Sequence, residues 1–181
     1  MSKTKVINLF GSAGAGKSTQ AMGLVPLLRL SGYSAEYVSE YAKDVVYDEN
    51  LTKLEDQLYI FAKQNRRIER VLKQDYDFIV TDSPLFLSYF YGMKYGTLVD
   101  GLDQVILNCI NKSNNTNIFL ERNHPYQTEG RVQTDEDSRK DSEILHTCLS
   151  DVLPEQPLHM FQTDGTMKTA HDIFLLITQG S

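Results

Sequence analysis

A run of small residues near the start of the chain has the spacing of a phosphate-binding loop. Gly11 and Gly16 are separated by four residues, and Lys17 and Ser18 follow directly. Glycines let the backbone turn tightly, so successive amides can point at one anion, and a helix starting near Lys17 adds its positive dipole end. The spacing predicts that Lys17 reaches the β- and γ-phosphates and that Ser18 ligates Mg²⁺. The residues predicted to bind the nucleotide are Gly11, Ser12, Ala13, Gly14, Ala15, Gly16, Lys17, Ser18 and Thr19.

Asp82 is the predicted acidic partner of this loop. It directly follows the apolar run 78–81, so a buried strand would deliver its carboxylate beside the loop, as in the Walker B arrangement. A metal-side or a catalytic role is therefore predicted. The sequence Asp82-Ser83-Pro84 also suits a turn into a helix, where Asp82 or Ser83 would cap the helix N-terminus.

The elements that must position these residues alternate between strand and helix. The strands are predicted at 5–10, 35–39, 77–81, 117–120 and 157–161. The helices are predicted at 17–30, 51–73, 85–91, 101–112, about 138–149 and 167–178. Pro26 predicts a kink or an early stop in the first helix. Repeated strand–helix units predict an α/β fold with a parallel sheet covered on both faces, whose ligands bind at the carboxyl ends of the strands.

Length and composition predict an ordinary globular domain over residues 1–181. The chain is 41% hydrophobic and 23% charged, with a net charge of −6, which disfavours nucleic acid as a partner but still allows a local basic groove. No apolar run approaches a membrane span, and no signal segment is evident, so a cytoplasmic location is expected. Cys109 and Cys148 form no CxxC pair and are predicted to be buried thiols, and the histidines lack metal-ligand spacing.

Several segments together resemble one group of P-loop kinases. These segments are Gly11 to Thr19, Val38 to Ala42, Asp56-Gln57 with Gln64, Thr81 to Pro84, and Tyr126 to Thr134. They are similar to nucleoside and nucleotide kinases, and within these to the NadR-like AAA-domain family, which is common in bacteriophages and related to ribosylnicotinamide kinase. The resemblance implies a three-layer P-loop kinase fold with a five-stranded parallel sheet in the order 2-3-1-4-5. For a bacteriophage protein, the location would be the host cytoplasm.

The resemblance also assigns roles to residues on the acceptor side. Glu40 follows the second strand, where related kinases place the acid that takes the proton from the acceptor hydroxyl. Asp82 competes for the same role. Gln64 and Arg67 resemble residues that these kinases turn toward the base and toward phosphate or sugar. A solvated charged face is the alternative for the arginine-rich part of this helix.

The polar segment 121–139 resembles the lid of these kinases. Its Arg131, next to Gly130 as a hinge, is predicted to neutralise charge on the transferring phosphoryl group, with Arg139 as the second candidate. After the fifth strand, residues 162–166 resemble the loop that borders the adenine. A plain turn into the last helix, capped by Thr166 or Asp164, is the alternative there.

The predicted activity is transfer of the γ-phosphoryl group of ATP, with Mg²⁺, to a hydroxyl or phosphate of a nucleoside-like acceptor. The acceptor could be free, or a hydroxymethylated base within DNA, as for bacteriophage 5-hydroxymethyluracil DNA kinases. The partners expected are a nucleoside triphosphate and this acceptor, with no membrane and with a homodimer allowed. The alternative is a P-loop ATPase or a regulatory nucleotide-binding module. Asp82 is followed by Ser83 rather than by the catalytic Glu usual in such ATPases, which favours the kinase.

Overall fold

The computed structural model describes residues 3–49, 51–127 and 134–179. In these ranges five parallel strands form one sheet in the order β2-β3-β1-β4-β5, which confirms the expected topology. The strands are β1 (Lys5–Phe10), β2 (Ala35–Val38), β3 (Phe78–Thr81), β4 (Asn114–Arg122) and β5 (Leu158–Thr163). Asn8 of β1 is in register with Thr81 of β3. This register brings the loop after β1 next to Asp82 at the carboxyl edge of the sheet.

Helices cover both faces of the sheet and give three layers. They are α1 (Lys17–Leu30), α2 (Tyr41–Tyr47), α3 (Gln57–Leu72), α4 (Phe86–Tyr95), α5 (Leu102–Ile110), α6 (Asp135–Val152) and α7 (Lys168–Gln179). Side chains alternate along a strand, so β1 contributes to two cores. Ile7 and Leu9 pack with α1 and α7, whereas Phe10 packs with α3 to α6.

The first helix has the predicted bounds, Lys17–Leu30, so it does not stop early at Pro26. Pro26 lies on the exposed side, so water can satisfy the carbonyl that the proline leaves unbonded. The helix predicted at 51–73 is divided into a 3-10 helix, Leu51–Leu54, and α3. The division occurs because the Asp56 side chain accepts a hydrogen bond from the Tyr59 amide and caps α3.

The apolar face of α3 packs against the sheet. Ile60, Phe61 and Ile68 are buried. Leu58, in the first turn of the helix, is 48% exposed.

The start of β4 was not predicted, because the first residues of this strand are polar. The strand begins at Asn114, whereas an apolar run begins only at 118. The Asn8 side chain donates to the Oδ1 atoms of Asn115 and Asn117, both at 3.0 Å. These bonds satisfy amides that would otherwise be costly to bury, so a polar strand can lie inside the sheet.

The remaining differences concern short segments. Helix α2 was not predicted as an element; it is short, with Val45 as its buried residue. At the two ends of the predicted lid segment 121–139, residues 121–122 belong to β4 and residues from Asp135 onward belong to α6. The predicted burial of Cys109 and Cys148 is only partial. In the described ranges, no helix is long and apolar enough to cross a membrane.

Candidate functional site

The phosphate loop lies between β1 and α1 in a backbone conformation that depends on glycine. Gly11 has a φ of 140°, and a Cβ atom there would lie 2.7 Å from the Leu120 carbonyl oxygen. Gly16 has a φ of 82° immediately before α1. Side chains are disfavoured at both positions. The two glycines therefore let the loop pass close to β4 and turn into the helix.

Two buried hydroxyl groups hold the loop in place from outside. Ser138 of α6 donates to the Ala13 carbonyl at 2.7 Å, and its Oγ lies 3.0 Å from Ser12 Oγ. Thr163, at the end of β5, donates to the Ala15 carbonyl at 3.2 Å. Sequence reasoning missed both contacts, because they join residues more than 120 positions apart in the chain. The loop is thus fixed by protein groups before any nucleotide binds.

Lys17 and Thr19 occupy different environments. The Lys17 ammonium donates to the carbonyls of Gly11 at 2.7 Å and Ser12 at 3.0 Å, so it spans the mouth of the loop. Thr19 is exposed in the first turn of α1. The lysine is placed where an anion held by the loop amides would meet its charge.

Ser18, Asp82 and Lys43 form a compact polar cluster at the end of β3. Ser18 Oγ donates to Asp82 Oδ2 at 2.5 Å. Lys43 Nζ lies 2.5 Å from Ser18 Oγ and 3.0 Å from Asp82 Oδ2. Lys43 was not predicted as a site residue. Its position three residues after Glu40, near the start of a helix, is the sequence feature that could have indicated it. The predicted proximity of Ser18 to Asp82 is present in the structure.

The Ser18–Asp82 pair has the chemistry of a magnesium site. Asp82 is only 1% exposed, and its Oδ1 atom has no hydrogen-bond partner among the described residues. A buried carboxylate oxygen without a partner beside a serine hydroxyl suits a hard cation that prefers oxygen ligands. Within the described part of the chain, no three His, Cys, Asp or Glu side chains group into a site of their own. The donor set therefore fits Mg²⁺ carried in with nucleotide phosphates, which supply further oxygen ligands.

The pKa values of the two carboxylates near the loop are shifted in opposite directions. Burial would raise the pKa of Asp82, but hydrogen bonds from Ser18, Lys43 and Tyr37 hold it below its usual range. For Glu40, burial is the largest influence and raises the pKa, although the charges of Lys17 and Lys43 oppose it. Asp82 therefore stays ionised to a lower pH than an ordinary aspartate, whereas Glu40 keeps its proton to a higher pH than an ordinary glutamate.

Glu40 lies at the entrance to α2, partly open to solvent. It occupies the N-cap position of that helix, yet its side chain makes no capping hydrogen bond. Its Oε2 atom lies 3.8 Å from Lys43 Nζ. Besides this ion pair, the carboxylate lines a cavity between α2, α3 and α4.

Gln64 and Arg67 of α3 hold the connection that carries Glu40. Gln64 accepts from the Tyr41 amide at 2.9 Å and donates to the Ser39 carbonyl at 3.3 Å. Arg67 donates to the same carbonyl at 3.2 Å and pairs with Asp44. These contacts position the β2–α2 connection, and the predicted contacts of both residues with substrate stay predictions.

Of the two arginines predicted for the lid, one lies among the described residues and one does not. Arg131 and Gly130 lie outside the described residues. Arg139 is exposed on α6 and pairs with Asp135 at 3.2 Å. Arg122, at the end of β4, is buried, pairs with the same aspartate and donates to the His124 carbonyl at 3.0 Å. Asp135 thus ties the end of β4 to the start of α6, on either side of the segment that resembles a lid.

Of residues 162–166, predicted to border adenine, the first two end β5 and 164–166 form a capped turn before α7. Asp164 Oδ1 accepts from the Thr166 amide at 2.9 Å and from its hydroxyl at 2.7 Å. Gln20 of α1 donates to the Thr166 carbonyl at 2.8 Å. The turn is therefore tied to the helix that follows the phosphate loop, and its contact with adenine stays a prediction.

A cavity of about 740 Å³ opens beside the cluster, between α2, α3 and α4. We call it the acceptor cavity. Its lining residues are Ala13, Glu40, Ala42, Val46, Leu54, Glu55, Gln57, Ile60, Ser83, Leu87, Ser88, Tyr91, Tyr95 and Thr97. Two of them are acidic, and none of these lining residues is basic. The size is typical of a small-molecule site.

Comparisons with known proteins identify the fold. No protein-family model and no curated protein matches the chain. Crystal structures of NadR in complex with NAD and AMP-PNP, and in complex with NR, match with TM-scores of 0.70 and 0.72 and identities of 17% and 19%. The matches cover 97% of this chain but only 49% and 50% of NadR, so the chain spans about half of that protein's length.

A thymidylate kinase from Ehrlichia chaffeensis also matches. Its TM-score is 0.61 at 14% identity, and the match covers 98% of both chains. At these identities the similarity establishes the fold alone. The chain has the P-loop kinase fold, with the strand order described above.

Proposed function

We propose that this protein is a kinase that transfers the γ-phosphoryl group of ATP to a hydroxyl of a nucleoside-like acceptor. The observation that carries the proposal is a convergence of donor and acceptor elements. Ala13 of the phosphate loop, Ser83 next to Asp82, and Glu40 all line the acceptor cavity. A phosphoryl group held by the loop would therefore face the molecule that fills the cavity.

On the donor side, the loop amides and Lys17 bind the phosphates of the nucleotide. The loop does not reorganise greatly on binding, because Ser138 and Thr163 already hold its carbonyls. Ser18 and Asp82 would hold Mg²⁺, which neutralises phosphate charge when it is bound. The fold is shared with NadR in its complex with AMP-PNP, which supports ATP as the donor.

On the acceptor side, Glu40 is the proposed base. Asp82 is buried, ionised and bonded to Ser18 and Lys43, so it is committed to the donor side. Glu40 lines the cavity and has a raised pKa, which makes its carboxylate the better proton acceptor. It would orient the attacking hydroxyl and accept its proton as the new O–P bond forms.

The charge of the acceptor cavity favours a hydroxyl over a phosphate as the acceptor group. Glu40 and Glu55 line the cavity without a basic residue among the lining side chains, so a second phosphate would meet like charge. NadR in its complex with NR offers a free nucleoside-like ligand on the same fold, which supports this class of acceptor. A hydroxymethylated base in DNA, as used by bacteriophage kinases, is the second acceptor that the resemblance suggests.

Arginines of the lid would complete the site during transfer. We assign this role first to Arg131 and then to Arg139, whose exposed position on α6 leaves it free to turn toward the loop. Neutralising charge on the transferring phosphoryl group is the usual function of such arginines.

The test is label transfer from γ-labelled ATP in the presence of Mg²⁺. The acceptors are ribonucleosides, deoxynucleosides, nucleoside monophosphates and DNA containing hydroxymethylated bases. We expect label on a free nucleoside, and a loss of about 10²–10³-fold in kcat for Lys17→Ala. Lys140→Ala is the matched control, because Lys140 is an exposed lysine paired with Glu136 on α6. ATP hydrolysis with no labelled acceptor would instead identify an ATPase or regulatory module.

A further inference from the structure

Helix α6 carries two buried polar side chains on the side that faces the protein interior. Ser138 and Asp141 are 0% and 5% exposed, and Leu145 and Leu149 are buried as well. These four positions are three or four residues apart, so they form one stripe along the helix. The stripe is polar at its N-terminal end and apolar beyond it. Buried polar side chains need partners, so each of the two indicates a specific contact.

The two polar residues contact different parts of the candidate site. Ser138 holds the phosphate loop through Ser12 Oγ and the Ala13 carbonyl. Asp141 lies about 4.5 Å further along the axis of α6. Both of its carboxylate oxygens accept from the Lys94 ammonium at 2.6 Å. Because Lys94 belongs to the last turn of α4, neighbouring turns of α6 join the loop to the end of α4.

The end of α4 forms part of the acceptor cavity. Tyr91 and Tyr95 line the cavity, and Lys94 Nζ lies 5.1 Å from the centroid of the Tyr95 ring. Burial raises the pKa of Tyr91, and the charges of Glu40 and Asp141 raise it further. The Tyr91 hydroxyl is therefore within electrostatic reach of both carboxylates. The Lys94–Asp141 pair thus lies next to the wall that faces the proposed acceptor.

Stability alone does not account for an ion pair at this position. The Asp141 side chain is 8% exposed and that of Lys94 is 27% exposed. Taking such charges out of water costs free energy that their attraction roughly offsets, and apolar residues of similar size are often as stable. What the pair adds is geometry, because two short charge-assisted hydrogen bonds hold the end of α4 at one distance from α6.

We propose that Lys94 and Asp141 are positioning residues that connect the phosphate loop to the acceptor cavity through α6. The inference rests on the proposed kinase function. A nucleotide bound to the loop restrains Ser138, and Asp141 and Lys94 extend that restraint to α4. The cavity wall is then ordered when the donor is in place. The acceptor meets a wall held at a fixed distance from the γ-phosphoryl group, which in-line transfer requires.

Hydrogen exchange of the full-length chain tests this connection without an acceptor. ADP with Mg²⁺ is added to wild type and to Lys94→Met/Asp141→Leu, and exchange is followed in the loop, residues 11–19, and in the last turn of α4. In wild type the nucleotide should slow exchange about threefold to tenfold in both segments. In the double variant the loop should keep this protection, whereas α4 should lose it.

Further variants separate positioning from folding. The double variant should unfold at the urea concentration of wild type or above it, because an apolar pair replaces both charges. Lys94→Arg keeps the charge and should retain the α4 protection, whereas Asp141→Asn keeps the shape and should lose it. The matched control is Glu136→Leu/Lys140→Met, which removes an ion pair of α6 whose side chains are 78% and 64% exposed. This control should exchange like wild type.

The outcomes separate this inference from the proposed function. If ADP protects α4 equally in wild type and in the double variant, or protects it in neither, the pair does not position the wall. With a nucleoside that accepts label, the double variant should raise the KM of that nucleoside about threefold to tenfold and leave the KM of ATP unchanged. An unchanged nucleoside KM would also overturn the inference. If no acceptor is labelled while the exchange results hold, the proposed function fails and the connection between loop and α4 stands.

Discussion

The phosphate loop and the acceptor cavity differ in how their polar groups are bonded. In the loop, the carbonyls of Gly11, Ala13 and Ala15 are bonded by Lys17, Ser138 and Thr163. Among the side chains that line the cavity, Gln57 Oε1 and Thr97 Oγ1 are buried without a partner in the described chain. The loop carbonyls are therefore bonded in the absence of a ligand, whereas these two side-chain atoms are not.

The proposed function gives a physical reason for this difference. Every nucleoside triphosphate presents the same phosphates, so a rigid loop prepared by protein contacts loses little entropy on binding. An acceptor is distinguished by its individual groups, and the residues that recognise it must keep bonding capacity free until it arrives. Stability is therefore expected to reside in the donor side, and specificity in the acceptor side.

The largest expected effect comes from Glu40, where the two sides meet. Glu40→Gln should lower kcat about 10²–10⁴-fold, because the base is lost while phosphate binding is retained. In wild type, burial raises the pKa of Glu40, so its protonated form persists above the usual glutamate range. The rate should therefore fall on acidification from a higher pH than an ordinary glutamate would give, and that limb should vanish in Glu40→Gln.

A pH–rate profile of kcat/KM for both proteins measures this. If Glu40→Gln keeps full turnover while Asp82→Asn loses it, the base is Asp82, and the division into donor and acceptor carboxylates is wrong.

An intermediate effect is expected on stability. Ser138→Ala should lower the free energy of unfolding by about 1–3 kcal/mol, because the buried Ala13 carbonyl loses its donor. Thr97→Val should leave it within about 0.5 kcal/mol of wild type, because its hydroxyl has no partner to lose. Urea denaturation of both variants gives the comparison, with exposed Ser150→Ala on α6 as the control. Equal destabilisation by Ser138→Ala and Thr97→Val would abolish the contrast between the two regions.

The smallest expected effect concerns Lys43. Its ammonium contacts Ser18 and Asp82, the residues that fit Mg²⁺, so it must withdraw when the cation binds. Lys43→Met should tighten Mg²⁺ binding to the ADP-bound protein about threefold to tenfold, a modest gain because the lysine side chain is 40% exposed. Calorimetric Mg²⁺ titration measures it, and Lys43→Arg, which keeps the charge, should stay near wild type. Weaker Mg²⁺ binding in Lys43→Met would mean that the lysine assists the metal site.

Much of the donor side could be predicted from local patterns. The spacing of Gly11 and Gly16 specifies a loop whose backbone needs positive φ, and the apolar run before Asp82 specifies a buried strand. Both features depend on neighbouring residues, so the structure places Ser18 beside Asp82 as the motif requires. The strand order followed from the resemblance and is present in the sheet.

The acceptor side resisted prediction because its residues come from separate elements. The resemblance assigns Gln64 to the acceptor base; its amide is bonded to the β2–α2 connection, and its contact with a base stays a prediction. The start of α3 depends on the Asp56 cap, and the apolar periodicity placed that start too early. Lys43 lies on α2, a helix that periodicity did not reveal because only one of its residues is buried.

The sequence by itself determined the phosphate loop and the strand that delivers Asp82. These depend on glycine conformation and on the alternation of apolar residues, which act between near neighbours in the chain. Only the tertiary structure decided which hydroxyls hold the loop, which carboxylate faces the cavity and which polar atoms stay unpaired. Those properties depend on burial and on contacts between elements far apart in sequence, and the packing of α2, α3, α4 and α6 fixes them.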